Sequence, residues 1–490
     1  MIKTPYGFLI LLSILFLDSP LQARQNSLSG GLVTGIDFSE TKYIDIDNEL
    51  SSSRNSSKQK LSIGPIIIFN SKSRKDQITA RYNPSYTHDV KLNNNNWEHD
   101  FFLTANRHFT QRLQLNLSEK FIYSDDPSLI ASDDNNASYR KDRKRYWTND
   151  FSLGTSYAYG RTNTVEAGYY NRILRNDYTG IGGYEDYDRH IADLSLIHHI
   201  NPFWNITLAT SYTRGLFDPP SQPLVDSVIE GFESISPGIT DDTDTTNLSN
   251  NLSEYRADVE LKHLFSKRKS VQLRYEFSRT DYDAILRNNT YLHNLTIGAE
   301  YQYSPRLSLS FGGGPSYENT DTFDPNWNYN AHLNIQYDVD RHSKISTYID
   351  KGYDQENFSY DNTTLGRNQG LTGFWNAKLS FSHALLDNLT TQIFISYREE
   401  TQENVLYGVI SSVENGTDFE NTDREAFREE SVFNRNIYQA GGTLKYTFQQ
   451  FWTTSLSYNY RNQNSDLIND SFDEHRVYLT LAVQKELLRW

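Results

Sequence analysis

The stretch Tyr291-Leu292-His293-Asn294-Leu295-Thr296-Ile297-Gly298-Ala299-Glu300-Tyr301-Gln302-Tyr303 decides the fold. Read alternately, it separates into Tyr291, His293, Leu295, Ile297, Ala299, Tyr301 and Tyr303 on one side and Leu292, Asn294, Thr296, Gly298, Glu300 and Gln302 on the other. Successive side chains of a strand point to opposite faces, so this is a strand with one apolar and one wet face. A helix would smear the same residues around its circumference. Val271, Leu273, Tyr275 and Phe277 against Gln272, Arg274 and Glu276 repeat the pattern. So do Trp452, Thr454, Leu456, Tyr458 and Tyr460 against Thr453, Ser455, Ser457, Asn459 and Arg461.

Twenty such runs are legible: 28–38, 60–70, 76–88, 97–108, 111–124, 145–159, 162–176, 187–200, 204–217, 253–266, 270–283, 290–303, 307–320, 326–338, 343–354, 370–383, 388–400, 434–448, 452–465 and 474–487. Most exceed the ~5–6 residues of an ordinary globular strand and reach the ~9–11 that a tilted strand needs to cross a bilayer. The connections alternate short (Asn201-Pro202-Phe203, Ser304-Pro305-Arg306, Asp340-Arg341-His342, Gln449-Gln450-Phe451) and long (125–144, 218–252, 355–369, 401–433). A transmembrane barrel sorts its connections in this way, with short periplasmic turns and long extracellular loops. A secreted protein of β-sandwiches is the alternative for one-sided strands, but it has no reason to sort loops by parity. The expected fold is all-β: one closed antiparallel transmembrane β-barrel of about 20 strands, within 18–22.

Tryptophans mark two rims. Trp204 and Trp452 follow short turns, and Trp97, Trp147 and Trp327 follow long loops, as girdles at two membrane interfaces require. Tyr157, Tyr159, Tyr301, Tyr303, Tyr337 and Phe448 extend the short-turn girdle, whereas Trp375 sits away from either expected rim. The chain ends on Trp490, which resembles the terminal aromatic that the outer-membrane assembly machinery reads. Lys485 interrupts the apolar face there, and the alternation changes phase near Leu487-Leu488.

Composition removes other classes. The 490 residues include no cysteine, so there is no disulfide, thiolate metal site or cysteine nucleophile. A formal charge of -15 offers no basic excess for nucleic acid. Aromatics at 14% argue against disorder. The apolar run Phe8–Leu17 is too short to span a bilayer as a helix. With Lys3 before it and Pro20 and Leu21-Gln22-Ala23 after it, 1–23 reads as a signal peptide, an uncleaved anchor being the alternative. Residues 24–490 then form the barrel. The first run starts soon after that segment, leaving no evident stretch for an N-terminal plug, so a water-filled lumen is expected rather than active energy-coupled uptake.

The wet faces are polar and of mixed sign. Candidate pore-lining residues are Arg81, Asp150, Glu166, Arg256, Asp258, Glu260, Lys262, Arg274, Glu276, Glu300, Asp338, Lys378, Arg398, Lys445 and Arg461. Rows of opposite charge can orient a polar solute or set ion preference, and they can equally be a salt-bridged wall. Phe102, Tyr170, Tyr348 and Phe374 share these faces and suit either stacking on sugar rings or packing.

The loop 218–252 carries Asp218, Asp226, Glu230, Glu233, Asp241, Asp242 and Asp244 without Lys or Arg, and 401–433 opposes its acids only with Arg424 and Arg428. Such loops can favour cations or meet divalent ions among lipopolysaccharide, and they can simply be solvated. Asp241-Asp242-Thr243-Asp244 lacks the Gly and Glu of a calcium loop, so no metal site is assigned. His190, His198, His199 and His263 lie along strands without a recognisable Ser, His and carboxylate constellation. No catalytic residue or cofactor is expected.

Tyr82-Asn83-Pro84-Ser85-Tyr86, the Asn-rich segment after it, Trp97-Glu98-His99, and Leu113 to Tyr123 followed by Ser124-Asp125-Asp126-Pro127 are together similar to a family pattern. They resemble the outer-membrane β-barrel porins found with bacterial surface-polysaccharide (exopolysaccharide) operons. The resemblance implies an outer-membrane barrel and passage or export of a polysaccharide or oligosaccharide; it carries no functional residue onto a position here. Pro84, which lacks an N–H, reads locally as a bulge. The expected function is a passive channel for polar solutes, with outer-membrane lipid, lipopolysaccharide and the barrel assembly machinery as partners. The alternative is a structural or surface-interaction barrel whose long acidic loops bind a partner.

Overall fold

The computed structural model describes residues 24–44, 55–125, 145–177, 186–218, 251–283, 289–320, 325–354, 372–411, 424–466 and 471–490, with the side chains of 55 and 402–433 outside that description. The expected signal peptide 1–23, the loops 126–144 and 355–371, and all but the ends of 218–252 lie outside the described residues. The strands are β1 (Gln25–Tyr43), β2 (Asn55–Lys72), β3 (Asp76–Asp89), β4 (Asn94–His108), β5 (Leu113–Ser124), β6 (Tyr146–Tyr159) and β7 (Asn163–Asn176). Next come β8 (Tyr187–His199), β9 (Trp204–Phe217), β10 (Leu252–Ser266), β11 (Lys269–Tyr282), β12 (Thr290–Ser304), β13 (Leu307–Thr320) and β14 (Asn326–Asp338). The last are β15 (Ser343–Asp354), β16 (Thr372–Leu386), β17 (Leu389–Ser411), β18 (Arg424–Phe448), β19 (Trp452–Ser465) and β20 (Phe472–Arg489).

Every strand pairs antiparallel with its neighbours in sequence, and β20 returns to β1 through a ladder from Ser27↔Arg489 to Tyr43↔Phe472. The twenty strands therefore form one closed barrel without a sheet edge, the condition for a strand protein to sit in hydrocarbon. Directly paired residues share a face, so the register carries one face assignment around the whole circuit, and it returns to the seam unchanged. The outer face is apolar and open: Ile63, Leu194, Ile297, Phe311, Ile393 and Leu456 are all exposed there. A soluble protein would not leave such a belt bare.

Two collars bound the belt. Near the short-turn rim stand Tyr301 and Tyr303, Phe448 stacked on Trp452, and Trp204 at 4.3 Å from His263. Near the other rim a single device recurs. Tyr82 meets His99, Tyr169 meets His190, Tyr275 meets His293 and Tyr458 meets His475, each hydroxyl lying 2.7–2.9 Å from Nδ1. In all four couples the tyrosine lies on a rising strand and the histidine on the next. The register sets them diagonally, two residues off direct pairing. His190, His293 and His475 are each the fourth residue of β8, β12 and β20, and Trp375 is the fourth residue of β16. Trp375 is thus not a misplaced rim residue; it occupies the collar position that histidine fills on the other members of every fourth strand. From His293 to Tyr301 the axial distance is about 21 Å at ~3.4 Å per residue and ~40° tilt, close to the ~25 Å apolar band of outer-membrane barrels.

Short turns close by side-chain capping. The first residue's oxygen accepts backbone N–H groups two or three residues on at Ser73, Thr110, Asn201, Ser304 and Asp340. Between β18 and β19, Gln449 and Gln450 instead take positive φ of 52° and 62°.

Three expectations change. The connection between β3 and β4 is only 90–93, as brief as the opposite turns, so loop length does not alternate without exception. Asn93 at φ 47° and the Asp89 carboxylate, which accepts from the N–H groups of Lys91 and Leu92, make that tight reversal possible. Segment 401–433 is not a loop for most of its length. The β17–β18 ladder runs on from Thr401↔Asn434 to Ser411↔Arg424, because Val405-Leu406-Tyr407 and Val409-Ile410 favour strand despite the acidic surroundings. Pro84 is not a bulge: Ile63↔Tyr86 and Ile67↔Tyr82 keep one register on either side of a local gap in the ladder. There Gly64 lies so near that a β-carbon would stand 2.0 Å from the Pro84 carbonyl oxygen.

The phase change near the C-terminus is a bulge. Ser29 pairs with Glu486 and Leu28 with Leu488, leaving Leu487 as the extra residue. Beyond it Leu488 and Trp490 rejoin the outer face, and Trp490 exchanges backbone hydrogen bonds with Asn26 at 2.7 and 3.0 Å. Lys485 carries its ammonium to the Phe451 ring at the short-turn rim, keeping only its stem over the belt.

A barrel has no central core. Its densest apolar packing is an inner-face arc at the long-loop end, formed by Ile122, Tyr146, Leu174, Tyr187, Phe217 and Leu252, one from each of six consecutive strands. A smaller cluster of Leu103, Ala105 and Leu117 lies on the outer face.

Candidate functional site

The inner wall is the candidate site. Because strand side chains alternate, every second residue of twenty strands converges on it. The register puts all fifteen residues singled out above on this one face.

They do not form one cluster. Arg274 joins Asp258 and lies 3.8 Å from Glu276, and Lys262 reaches across β11 to Glu300 at 2.6 Å, where Ser270 also donates at 3.0 Å. Such contacts between strands two apart need a concave surface. Arg256 binds Glu254, and Glu260 stands between Arg256 and Lys262 in the same inward row. Further along the wall Arg398 donates to Glu400 at 2.6 Å and lies 4.5 Å above the Phe374 ring, while Arg435 reaches the same carboxylate at 3.1 Å. Asp150 receives a two-pronged contact from Arg172 at 2.6 and 2.9 Å and a hydroxyl from Tyr170 at 3.2 Å. Arg81 binds Asp100 at 2.8 Å beside Phe102. Lys378 lies over Phe394, Arg461 over Phe472 while donating to Gln463, and Glu166 accepts from Ser156 at 3.4 Å. Asp338, paired across the ladder with Lys344, and Lys445 lie toward the short-turn end.

Sequence reading missed Asp37, Asp100, Arg172, Glu254, Glu400, Arg435 and Arg476, which complete these pairs. Strand parity could have found each of them, since each shares the inward phase of its strand. It could not have shown which pairs meet.

Burial on this wall follows depth. At the short-turn end Gln302, Ser308, Gln336, Lys344, Gln392 and Lys445 are exposed. At the long-loop end Thr41, Ser124, Tyr146, Leu252, Thr280, Thr290, Ser316, Thr372, Glu400 and Gln463 are buried, right around the circumference. The wall is therefore exposed at one end and shielded from solvent at the other, where the apolar arc interrupts the polar face. The inward-facing apolar residues arise because the chain keeps its alternation while the mouth needs packing rather than hydration.

Between the two ends lies a recess of about 310 Å³ in the wall from β10 to β16, bordered by Arg256, Arg274, Glu276, Asn294, Asn330 and Phe374 among others. It contains three of the fifteen expected residues. Among the described residues no group of His, Asp and Glu has the arrangement to hold a metal ion.

No family model matches the chain. No curated protein matches it. Solved structures do. The FrpB iron transporter of Neisseria meningitidis aligns with a TM-score of 0.50 at 10% identity, over 93% of this chain and 82% of that one. The siderophore receptor PirA of Pseudomonas aeruginosa gives 0.49 at 9%, over 94% and 80%. A BenF-like porin of Pseudomonas fluorescens gives 0.40 at 9%, over 94% and 99%. At such identity the likeness bears on fold alone: this chain folds like outer-membrane β-barrels.

Proposed function

We propose that the protein is a passive channel of the bacterial outer membrane for polar solutes, with a surface polysaccharide or oligosaccharide as its cargo. The observation that carries the reading is the inner wall: a polar face of mixed charge, exposed at the short-turn end and enclosed by a greasy belt of bilayer height. In this reading the short turns face the periplasm, the long loops face outward among lipopolysaccharide, and Trp490 at the seam is presented to the assembly machinery. The fifteen charged residues and their partners line the path. Balanced ion pairs along the wall favour uncharged, hydroxyl-rich solutes over a single ion type. Planar-bilayer recording tests it. The folded protein is expected to conduct with and without residues 219–250; no current from either form defeats the channel.

Burial of the whole inner circumference at the long-loop end favours a second reading, a structural or surface-interaction barrel whose acidic loops hold a partner. That reading predicts silence in the bilayer with and without the loop, and loss of the partner when the loop is removed.

A further inference from the structure

Strand β13 gives the inner wall few side chains. Its inward positions include Ser310, Gly312, Gly314 and Ser316. Both glycines are required: a β-carbon at Gly314 would stand 1.9 Å from the Leu295 carbonyl oxygen, and one at Gly312 2.5 Å from Cε1 of His332. Across this stripped strand Asn330 leans from β14 toward β12, accepting from the Thr296 hydroxyl at 2.8 Å and donating to Ser316 at 3.3 Å. On β15, the Phe374 ring edge lies 3.7 Å from where a β-carbon of Gly352 would be. Beside this stripped strand lies the recess of about 310 Å³, at the lower end of the ~300–1,000 Å³ of small-molecule sites.

Its charges are of mixed sign. Arg256, Arg274 and Lys351 stand against Glu276 and Asp350, both arginines already hold carboxylates at Glu254 and Asp258, and the Lys351 ammonium lies over the Tyr329 ring. What remains to a ligand is a set of donors and acceptors with no large excess of either sign, beside the Phe374 ring. Asn294 adds a buried Oδ1 with no hydrogen-bond partner among the described residues, an acceptor that a ligand hydroxyl would satisfy. Alternating hydroxyls and an apolar C–H face are the features of a sugar ring.

We propose that this recess is a saccharide subsite, holding one unit of an uncharged glycan against Phe374 with a hydroxyl donated to Asn294. The inference rests on the channel reading and names where in the wall its cargo pauses. The test is calorimetric titration of the folded, detergent-solubilised protein with neutral malto-, cello- and dextran-type hexasaccharides and with oligogalacturonate as the anionic comparator. Bilayer recording runs in parallel on the 219–250 deletion. The variants are Phe374→Ala and Asn294→Leu, each checked for heat-modifiable gel mobility so that an unfolded variant is recognised. At least one neutral hexasaccharide is expected to bind and to block current transiently, with affinity falling tenfold or more in both variants while open-pore current stays within twofold. Absence of binding by every neutral sugar, equal binding in both variants, or tighter binding of oligogalacturonate overturns the subsite. Binding without any current upholds the subsite and defeats the channel; current without binding does the reverse.

Discussion

Arg476 on the last strand grips Asp37 on the first, Nε at 3.0 Å from Oδ1 and Nη2 at 2.6 Å from Oδ2. The pair faces the lumen across the seam where the chain's two ends meet, with both side chains largely shielded. A planar guanidinium matches a carboxylate in two contacts, so the pair fixes alignment as well as adding attraction. Asp37→Asn is expected to lower stability by roughly 1–3 kcal/mol, below the ~3–5 of a fully buried pair because water still reaches this one. Urea unfolding in lipid vesicles measures it. An unchanged midpoint would show that the seam is held by its backbone ladder alone.

Two glycines separate close approach from accident. Gly314→Ala forces a methyl into the Leu295 carbonyl, whereas a β-carbon at Gly154 meets nothing within 4 Å. Gly314→Ala should reduce the folded yield sharply, and Gly154→Ala should leave it unchanged or improved. Heat-modifiable mobility on gels reads both.

Face parity predicts opposite outcomes for adjacent residues. Leu194 is half exposed on the apolar belt, and Ser195 faces inward, paired with Glu166. Leu194→Arg should cost about 2–4 kcal/mol if it lies near the bilayer midplane. Ser195→Arg should cost little and alter ion selectivity. Equal penalties would contradict the register of β8.

At the short-turn rim, the backbone N–H groups of His342 and Ser343 hold the Asp340 carboxyl below its ordinary range. A depressed folded-state pKa means the stabilisation is complete above the unfolded value of about 3.9 and is lost as pH falls through the folded value. Asp340→Ala should therefore be less stable than the parent at neutral pH and approach it in strong acid. A pH series of urea midpoints checks the convergence.

The alternation in Tyr291–Tyr303 made the fold legible, because the strand period is two and each wall keeps one chemistry over a dozen residues. The same parity located the charges of the inner face. Ladder geometry was not legible: in 401–433 the acidic residues masked the strand preference of Val405-Leu406-Tyr407 and Val409-Ile410, and the bulge at Leu487 appears in sequence only as a lost phase. The recess was invisible because its lining arrives from six strands that only the register brings together. The histidines looked scattered because four of them are related only through the register to tyrosines 17–21 residues away on neighbouring strands.

The central claim is that neighbouring residues of one strand face water and lipid by turns, and the natural absence of cysteine gives a silent background for testing it. Single cysteines at Phe311, Ser310, Ile393, Gln392, Leu456 and Ser455 can be probed in reconstituted vesicles with a charged, water-soluble maleimide and with a lipid-soluble one. Positions 310, 392 and 455 should react with the charged reagent, and 311, 393 and 456 only with the lipid-soluble one. Labelling by the charged reagent at all six, or with no dependence on parity, would contradict the barrel's placement in a membrane.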